Sequence, residues 1–351
     1  MRLGFTYNVR SAERSAPQIG LAGDAEEEFD SPETIEAIAN ALRSLGHDVE
    51  LLGDGDPLLR RLLNPGAPGR PDLVFNMAEG TGVARSREAR VPAVLEMLGI
   101  PHTGSDPLTL AVALDKPLAK TVVAAAGVAV PRGVVVEGSG FRVQGSERRA
   151  GDVSPPITLD SLRLPLIAKP AFEGSSKGVL NKCLIEDRAA VANVVEELLS
   201  AYQQPILVEE FIDGEELTVG VLGNAPPQVL GVMRVVPRSD VKHFVYSLEM
   251  KREFSDRVRY ECPAKLGTAV TAAVEQAALA AYKALGCRDV ARIDFRLRGG
   301  VPYFIEANPL PGLAPDWSDL VLLAGALGIE HRELLRRILA AAVERYGLND
   351  G

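Results

Sequence analysis

Near the N-terminus, apolar residues cluster in short runs separated by a segment with helical period. Residues 3–7 are one apolar run of strand length. From Ser31 the pattern changes: Ile35, Ile38, Ala39, Leu42 and Leu45 recur three and four residues apart, the stripe of a helix that buries one face. Ser31 supplies an N-cap hydroxyl, Pro32 suits the first helical position, and Gly46 ends the stripe. Residues 49–52 and 73–76 are again short and apolar. This alternation over residues 1–100 predicts an α/β lobe, doubly wound, with parallel strands. Two further lobes are expected at 101–204 and 205–351, the last ending in a helix with Leu334, Leu335, Ile338, Leu339 and Val343 on one face. Residues 138–156 are polar and aperiodic and read as a flexible insertion. The long connection 8–30 leaves the carboxyl end of the first strand, where such lobes build their binding crevice, so it is functional or mobile.

Composition narrows the class. Hydrophobic residues make up 46% of the 351, enough for sizeable cores. A net charge of -9 with no basic block argues against nucleic acid or anionic membrane as the main partner. The chain opens on a strand rather than a signal peptide, and no apolar run approaches the ~20 residues of a membrane helix, so a cytoplasmic enzyme is expected. Cys183, Cys262 and Cys287 lie far apart without metal-ligand spacing and read as reduced thiols.

The densest chemistry lies in two apolar runs, 292–295 and 304–312, flanking a Gly299-Gly300 turn. As a hairpin they alternate faces, so Glu306 and Asn308 point the same way, Asp294 can lie opposite them, and Arg292 shares the face of Asp294. Two carboxylates and an amide oxygen are hard donors suited to Mg²⁺. A second piece is the strand 165–170, which ends in Lys169 and runs into the small Gly/Ser loop Glu173-Gly174-Ser175-Ser176. Such a loop lets backbone N–H groups approach phosphate oxygens beside a compact positive charge. A third is the apolar segment 206–212, followed by an Asp213-Gly214 turn and a second strand carrying Glu216.

These pieces, read as EANPLPG, LPLIAKPAFEGSSKG and HTGS…LDK, resemble the ATP-grasp superfamily, and most closely its D-alanine–D-alanine ligase branch. The resemblance spans about residues 70–330 and keeps the family order. It implies an ATP-grasp fold and ATP with Mg²⁺ as cofactors, two ions, with Mn²⁺ able to substitute. The implied chemistry is phosphorylation of a small carboxylic acid, followed by attack of an amine on the acyl phosphate. On matching positions it implies that Lys116, Lys169, Glu173, Ser175 and Ser176 hold ATP phosphates, and that Ser175 and Lys251 also serve the reacting centre. The segment Glu209, Glu210, Phe211 and Ile212 would contact adenine through its backbone, and Glu216 the ribose. Arg292 and the backbone of Gly312 would hold the acyl phosphate, and Asp294, Glu306 and Asn308 the ions. Family members are commonly dimers, so a homodimer is a further expected partner.

The substrate pocket departs from the family. Where relatives carry a His-Gly-x-x-Gly-Glu-Asp-Gly run, this chain has Glu79 in the place of the histidine, with Arg85, Arg87 and Arg90 close behind. Those arginines are candidates to receive a larger or more anionic first substrate. Glu28, and equally Glu13, is a candidate for the first substrate's ammonium. Asp316 and Asp319 stand where a serine-leucine pair would hold a second carboxylate, and would repel one. The expectation is therefore an ATP-dependent carboxylate–amine ligase whose substrates differ from D-alanine plus D-alanine. The alternatives are a true D-alanine–D-alanine ligase, a kinase that releases a phosphorylated product, or a nucleotide-binding regulatory protein. The intact Lys169, Arg292, Asp294, Glu306 and Asn308 set speaks against the last.

Overall fold

In the computed structural model the described residues are 1–10, 24, 26–64, 69–138, 142–145, 157–174, 177–252 and 257–348. The chain begins with β1 (Arg2–Tyr7), α1 (Pro32–Ser44), β2 (Asp48–Leu51), α2 (Gly55–Leu63), β3 (Leu73–Met77) and α3 (Arg90–Met97). The strands form one parallel sheet in the order β2-β1-β3. The Ser31 hydroxyl accepts from the Thr34 N–H (3.2 Å), Ile35, Ile38, Ala39 and Leu42 are buried, and Gly46 follows at φ +90°, where a side chain would be strained. Leu58, Leu62, Val91 and Leu95 cover one side of the sheet and α1 covers the other, as a doubly wound lobe requires.

The second sheet follows α4 (Pro107–Leu114) and α5 (Lys116–Ala125). Its elements are β4 (Gly133–Glu137), β5 (Arg142–Gly145), β6 (Leu166–Pro170), β7 (Leu184–Ile185), α6 (Val191–Tyr202) and β8 (Ile206–Glu210). The order β5-β4-β8-β6-β7 is antiparallel throughout. Two expectations change here. Residues 142–145, inside the stretch read as a flexible insertion, form a strand paired with β4, while 139–141 and 146–156 lie outside the described residues. Strand β8 follows residue 204, yet it sits at the centre of this sheet between β4 and β6.

The third sheet holds the rest: β9 (Glu215–Leu222), β10 (Gln228–Pro237), α7 (Leu248–Arg252), β11 (Val258–Glu261), α8 (Thr268–Leu285), β12 (Val290–Arg298) and β13 (Val301–Asn308), then α9 (Asp319–Ala326) and α10 (His331–Tyr346). Its order is β11-β10-β9-β12-β13. Val219, Ile293, Phe295, Phe304 and Tyr282 pack there against Ala119 and Val123 of α5, so that helix belongs with this sheet. The predicted apolar face of α10 is buried, but against Leu3, Phe5 and Ile38 of the first lobe. The chain end thus clamps first and third lobes together. Residues 211–214 carry the chain from the second sheet to the third. A Cβ on Gly214 would lie 2.0 Å from the Leu297 carbonyl oxygen, so the crossing needs a glycine. The second and third sheets, joined by this crossing, form the walls of a cleft. All three cysteines are free thiols, and no described helix is long and apolar enough to cross a membrane.

Candidate active site

The hairpin register confirms the alternation read from the sequence. Arg292 pairs with Asn308 and Asp294 with Glu306, so all four side chains occupy one patch of the β12–β13 ladder. Asp294 accepts from Arg292 Nη2 (2.9 Å), Thr218 Oγ1 (2.9 Å) and Asn308 Nδ2 (3.3 Å). Burial pushes its carboxyl above the ordinary range, and Arg292 offsets part of that. Burial would also raise Glu306, but Lys116 at 3.0 Å, with Arg292 and Lys169, outweighs it and holds that carboxyl well below the usual range. Two carboxylates and an amide oxygen on adjacent rungs, all hard donors, fit Mg²⁺.

Behind this patch lies a cavity of about 80 Å³ between the two sheets, which gathers most of the expected nucleotide residues. Asp115 caps α5 by accepting from the Leu118 N–H (3.0 Å), which sets Lys116 at the first turn with its ammonium between Glu306 and the Glu173 carbonyl. Lys169, the penultimate residue of β6, pairs with Glu209 Oε1 at 2.7 Å. The other oxygen of Glu209 faces Lys120 at 3.2 Å, and burial lowers Lys120 to about 8 despite that partner. The Glu209 side chain is thus a fixed counter-charge, and the next two backbone N–H groups are engaged within the protein, Glu210 donating to the Arg132 carbonyl (2.8 Å) and Phe211 to the Pro165 carbonyl (2.9 Å). Phe211 and Ile212 are buried, and Glu210 is half-buried, accepting from the Arg163 N–H (3.0 Å). Lys251 lines the cavity with its ammonium over the Tyr246 ring, 5.1 Å from the centroid. Ser175 and Ser176 lie outside the described residues.

Sequence reasoning missed Arg296. It is 5% exposed, donates to the carbonyls of Ile212, Gly214 (2.8 Å) and Phe244 (2.9 Å), pairs with Glu216 and stacks 4.5 Å from the Phe211 ring centroid. One residue therefore holds the crossing segment and the expected ribose acid together. The signal was available: 292, 294 and 296 alternate onto one strand face. Tyr246 was missed as well, and only tertiary folding brings its hydroxyl to Tyr260 (2.6 Å) and Asp319 (3.3 Å).

Adjoining the nucleotide cavity at Lys116, Glu173 and Glu306, a larger chamber of about 400 Å³ opens, lined among others by Glu28, Glu79, Glu88, Lys116, Arg292 and Gly312. The three arginines expected to act together separate. Arg85 is exposed and 3.3 Å from Asp115, and Arg90 donates to the Thr81 carbonyl (2.8 Å). Arg87 is 1% exposed and held by Glu28 (2.8 Å), Glu173 (3.2 Å) and the Phe172 carbonyl (2.6 Å). It is spent on protein carboxylates, so the expected anion receptor does not form. Glu28 also accepts from Lys177 (3.2 Å) and the Gly174 N–H (2.8 Å), and these charges hold its carboxyl low against burial. Glu13 lies outside the described residues. Asp319 is turned inward, 3.5 Å from Arg292, where it acts as that guanidinium's counter-charge.

A family model described as the D-Ala–D-Ala ligase C-terminus matches residues 123–340. An uncharacterized protein, y4sG, of Sinorhizobium fredii is 33% identical over 319 residues, covering 89% of this chain and 88% of its own. The D-alanine–D-alanine ligase of Moorella thermoacetica is 31% identical over 330 residues, covering 92% and 98%. The crystal structure of Bacillus anthracis D-alanine–D-alanine ligase complexed with ATP superposes with a TM-score of 0.70 at 21% identity, over 99% of both chains.

Proposed function

Since the chain belongs to the D-alanine–D-alanine ligase family and has its ATP-grasp fold, we propose that it is an ATP-dependent carboxylate–amine ligase acting on substrates other than two D-alanines. The observation that carries this reading is the single patch of Arg292, Asp294, Glu306 and Asn308, set between the nucleotide cavity and the acid-lined chamber. Mg²⁺, as two ions held by Asp294, Glu306 and Asn308, would neutralise charge on the transferring phosphoryl group. Lys116, Lys169 and Lys251 orient the phosphates, while the Phe211–Ile212 backbone and Glu216, steadied by Arg296, receive the nucleoside. The acid substrate's carboxylate oxygen takes the γ-phosphoryl group and ADP leaves. Arg292 and the Gly312 backbone stabilise the acyl phosphate, the amine attacks its carbonyl carbon, and phosphate departs as the amide forms.

Substrate identity rests on the chamber. Its polar wall is dominated by carboxylates, and the arginines that suggested an anionic acid face elsewhere. The second reading, joining D-alanine to itself, is favoured by the name of the Moorella relative. Residence in the cytoplasm and a homodimer belong to the same proposal. The test is ADP release with ATP and Mg²⁺ across amino acids and amines, singly and in pairs, with mass spectrometry of the products. Abundant D-alanyl-D-alanine from D-alanine alone would establish the second reading, and no ADP release from any pair would remove the ligase assignment.

A further inference from the structure

The network around the chamber leaves a residue of charge. Glu28 and Glu173 are matched by Arg87 and Lys177, and Glu306 by Lys116. Glu79 and Glu88 are not. Both line the chamber, and each brings an oxygen to within 4.8 Å of Glu28 and of the other. Glu88 is only 7% exposed, and among the described residues no hydrogen bond or ion pair reaches its carboxylate or that of Glu79. Glu88 lines the chamber, whereas its neighbour Arg87 turns to Glu28 and Glu173. Burying a carboxylate without a partner is costly, and proteins keep such groups where a ligand completes them.

We infer that Glu79 and Glu88 form a cation-receiving subsite for the acid substrate, and that this substrate is a basic amino acid, carrying a second positive charge beyond its α-ammonium. The inference rests on the ligase reading and adds the substrate class to it. Glu28 is unsuited to the task, because Arg87, Lys177 and the Gly174 N–H already fill its oxygens. Two adjacent carboxylates that no ion pair reaches match two cationic groups, and Lys116 and Arg292, which also line the chamber, would meet the substrate's own carboxylate. A neutral side chain there would leave one acid desolvated and unpaired, the situation that gives polar sites their largest discrimination.

The experiment compares lysine and ornithine, both enantiomers of each, with norleucine and alanine. Calorimetric binding to the full chain and ADP release with ATP, Mg²⁺ and hydroxylamine as a generic amine are both recorded. Lysine or ornithine is expected to bind at least tenfold more tightly than norleucine. Glu88→Gln, and separately Glu79→Gln, should abolish that preference while MgATP affinity stays unchanged. Either variant suffices, so poor folding of one leaves the other as the test. Tight lysine binding that is lost in Glu88→Gln, without any ADP release, would keep the subsite and defeat the ligase reading. ADP release with norleucine equal to that with lysine would keep the ligase reading and overturn the subsite. Binding of Mg²⁺ or Ca²⁺ alone, abolished by Glu88→Gln, would overturn it in favour of a metal site.

Discussion

The two cavities that meet at Lys116, Glu173 and Glu306 differ in how their charges are settled. In the nucleotide cavity every acid has a fixed cation: Glu209 has Lys120 and Lys169, Glu216 has Arg296, and Asp294 and Asp319 share Arg292. In the chamber Glu79 and Glu88 have none among the described residues. A preorganised, neutralised cavity suits a ligand whose charges arrive with their own counter-ions, such as a magnesium nucleotide. A chamber whose buried acids lack an ion pair gains most from an incoming cation, which would displace the proton that burial leaves on Glu88. On the proposed function, the difference separates the part of the molecule that would perform shared chemistry from the part that would select a substrate.

Breaking the charge-matched side should cost most. Glu306→Gln removes a hard anionic donor from the hairpin, so turnover should fall about a thousandfold or more, the several kcal/mol typical of metal charge stabilisation. The circular dichroism spectrum should stay native. Near-normal turnover would take the hairpin out of the chemistry.

Arg296→Met tests whether the crossing segment needs its hub. It leaves Glu216 buried without a partner and frees three carbonyls, so we expect a loss of about 3–5 kcal/mol in denaturant titrations, with a raised KM for ATP. Next come Lys116→Ala and Lys169→Ala. Each should weaken ATP binding roughly ten- to hundredfold by calorimetry, one removing the partner of Glu306 and the other leaving Glu209 to Lys120 alone. Unchanged affinity in both would mean the phosphates lie elsewhere.

The unmatched side should show itself in pH dependence. Burial raises Glu88 to about 8, with Glu28 and Glu173 adding to the effect, Arg87 and Lys116 opposing it, and Glu79 alongside, itself raised. The folded state thus holds a proton that the unfolded chain releases above its ordinary value of 4.5. Stability is therefore lost as pH rises from 4.5 to about 8, at up to about 1.4 kcal/mol per pH unit. Glu88→Gln should remove that slope and melt higher than the parent at pH 8 in the absence of substrate, with little difference near pH 4.5. Parallel curves would show that the carboxylate is already satisfied. Arg85→Ala should do least, within twofold in turnover, because this exposed residue only flanks Asp115.

The matched side was also the legible side. Side-chain alternation at 292–294 and 306–308 follows from strand geometry alone, and the register bears it out there, before a bulge at Asp294–Phe295 shifts it by one residue. The stripe of α1 was equally direct, because one helix buries one face. The chamber was less readable, since Arg85, Arg87 and Arg90 are close in sequence but diverge in space. Arg87 meets Glu28 and Glu173, 59 and 86 residues away, and nothing local announces such pairings. The same reason hid the α10 contact with the first lobe and the place of β8 at the centre of the second sheet. In each case the partner was set by which cores meet, not by period.

The central claim is that a carboxylate is activated by phosphorylation and then captured by an amine. It is tested most directly by labelling the carboxylate of whichever acid supports ADP release with ¹⁸O and following the label. The account predicts inorganic phosphate carrying one ¹⁸O atom for each amide formed, as the acyl phosphate C–O bond breaks. Unlabelled phosphate, or a phosphorylated acid that accumulates with no amide, would contradict it.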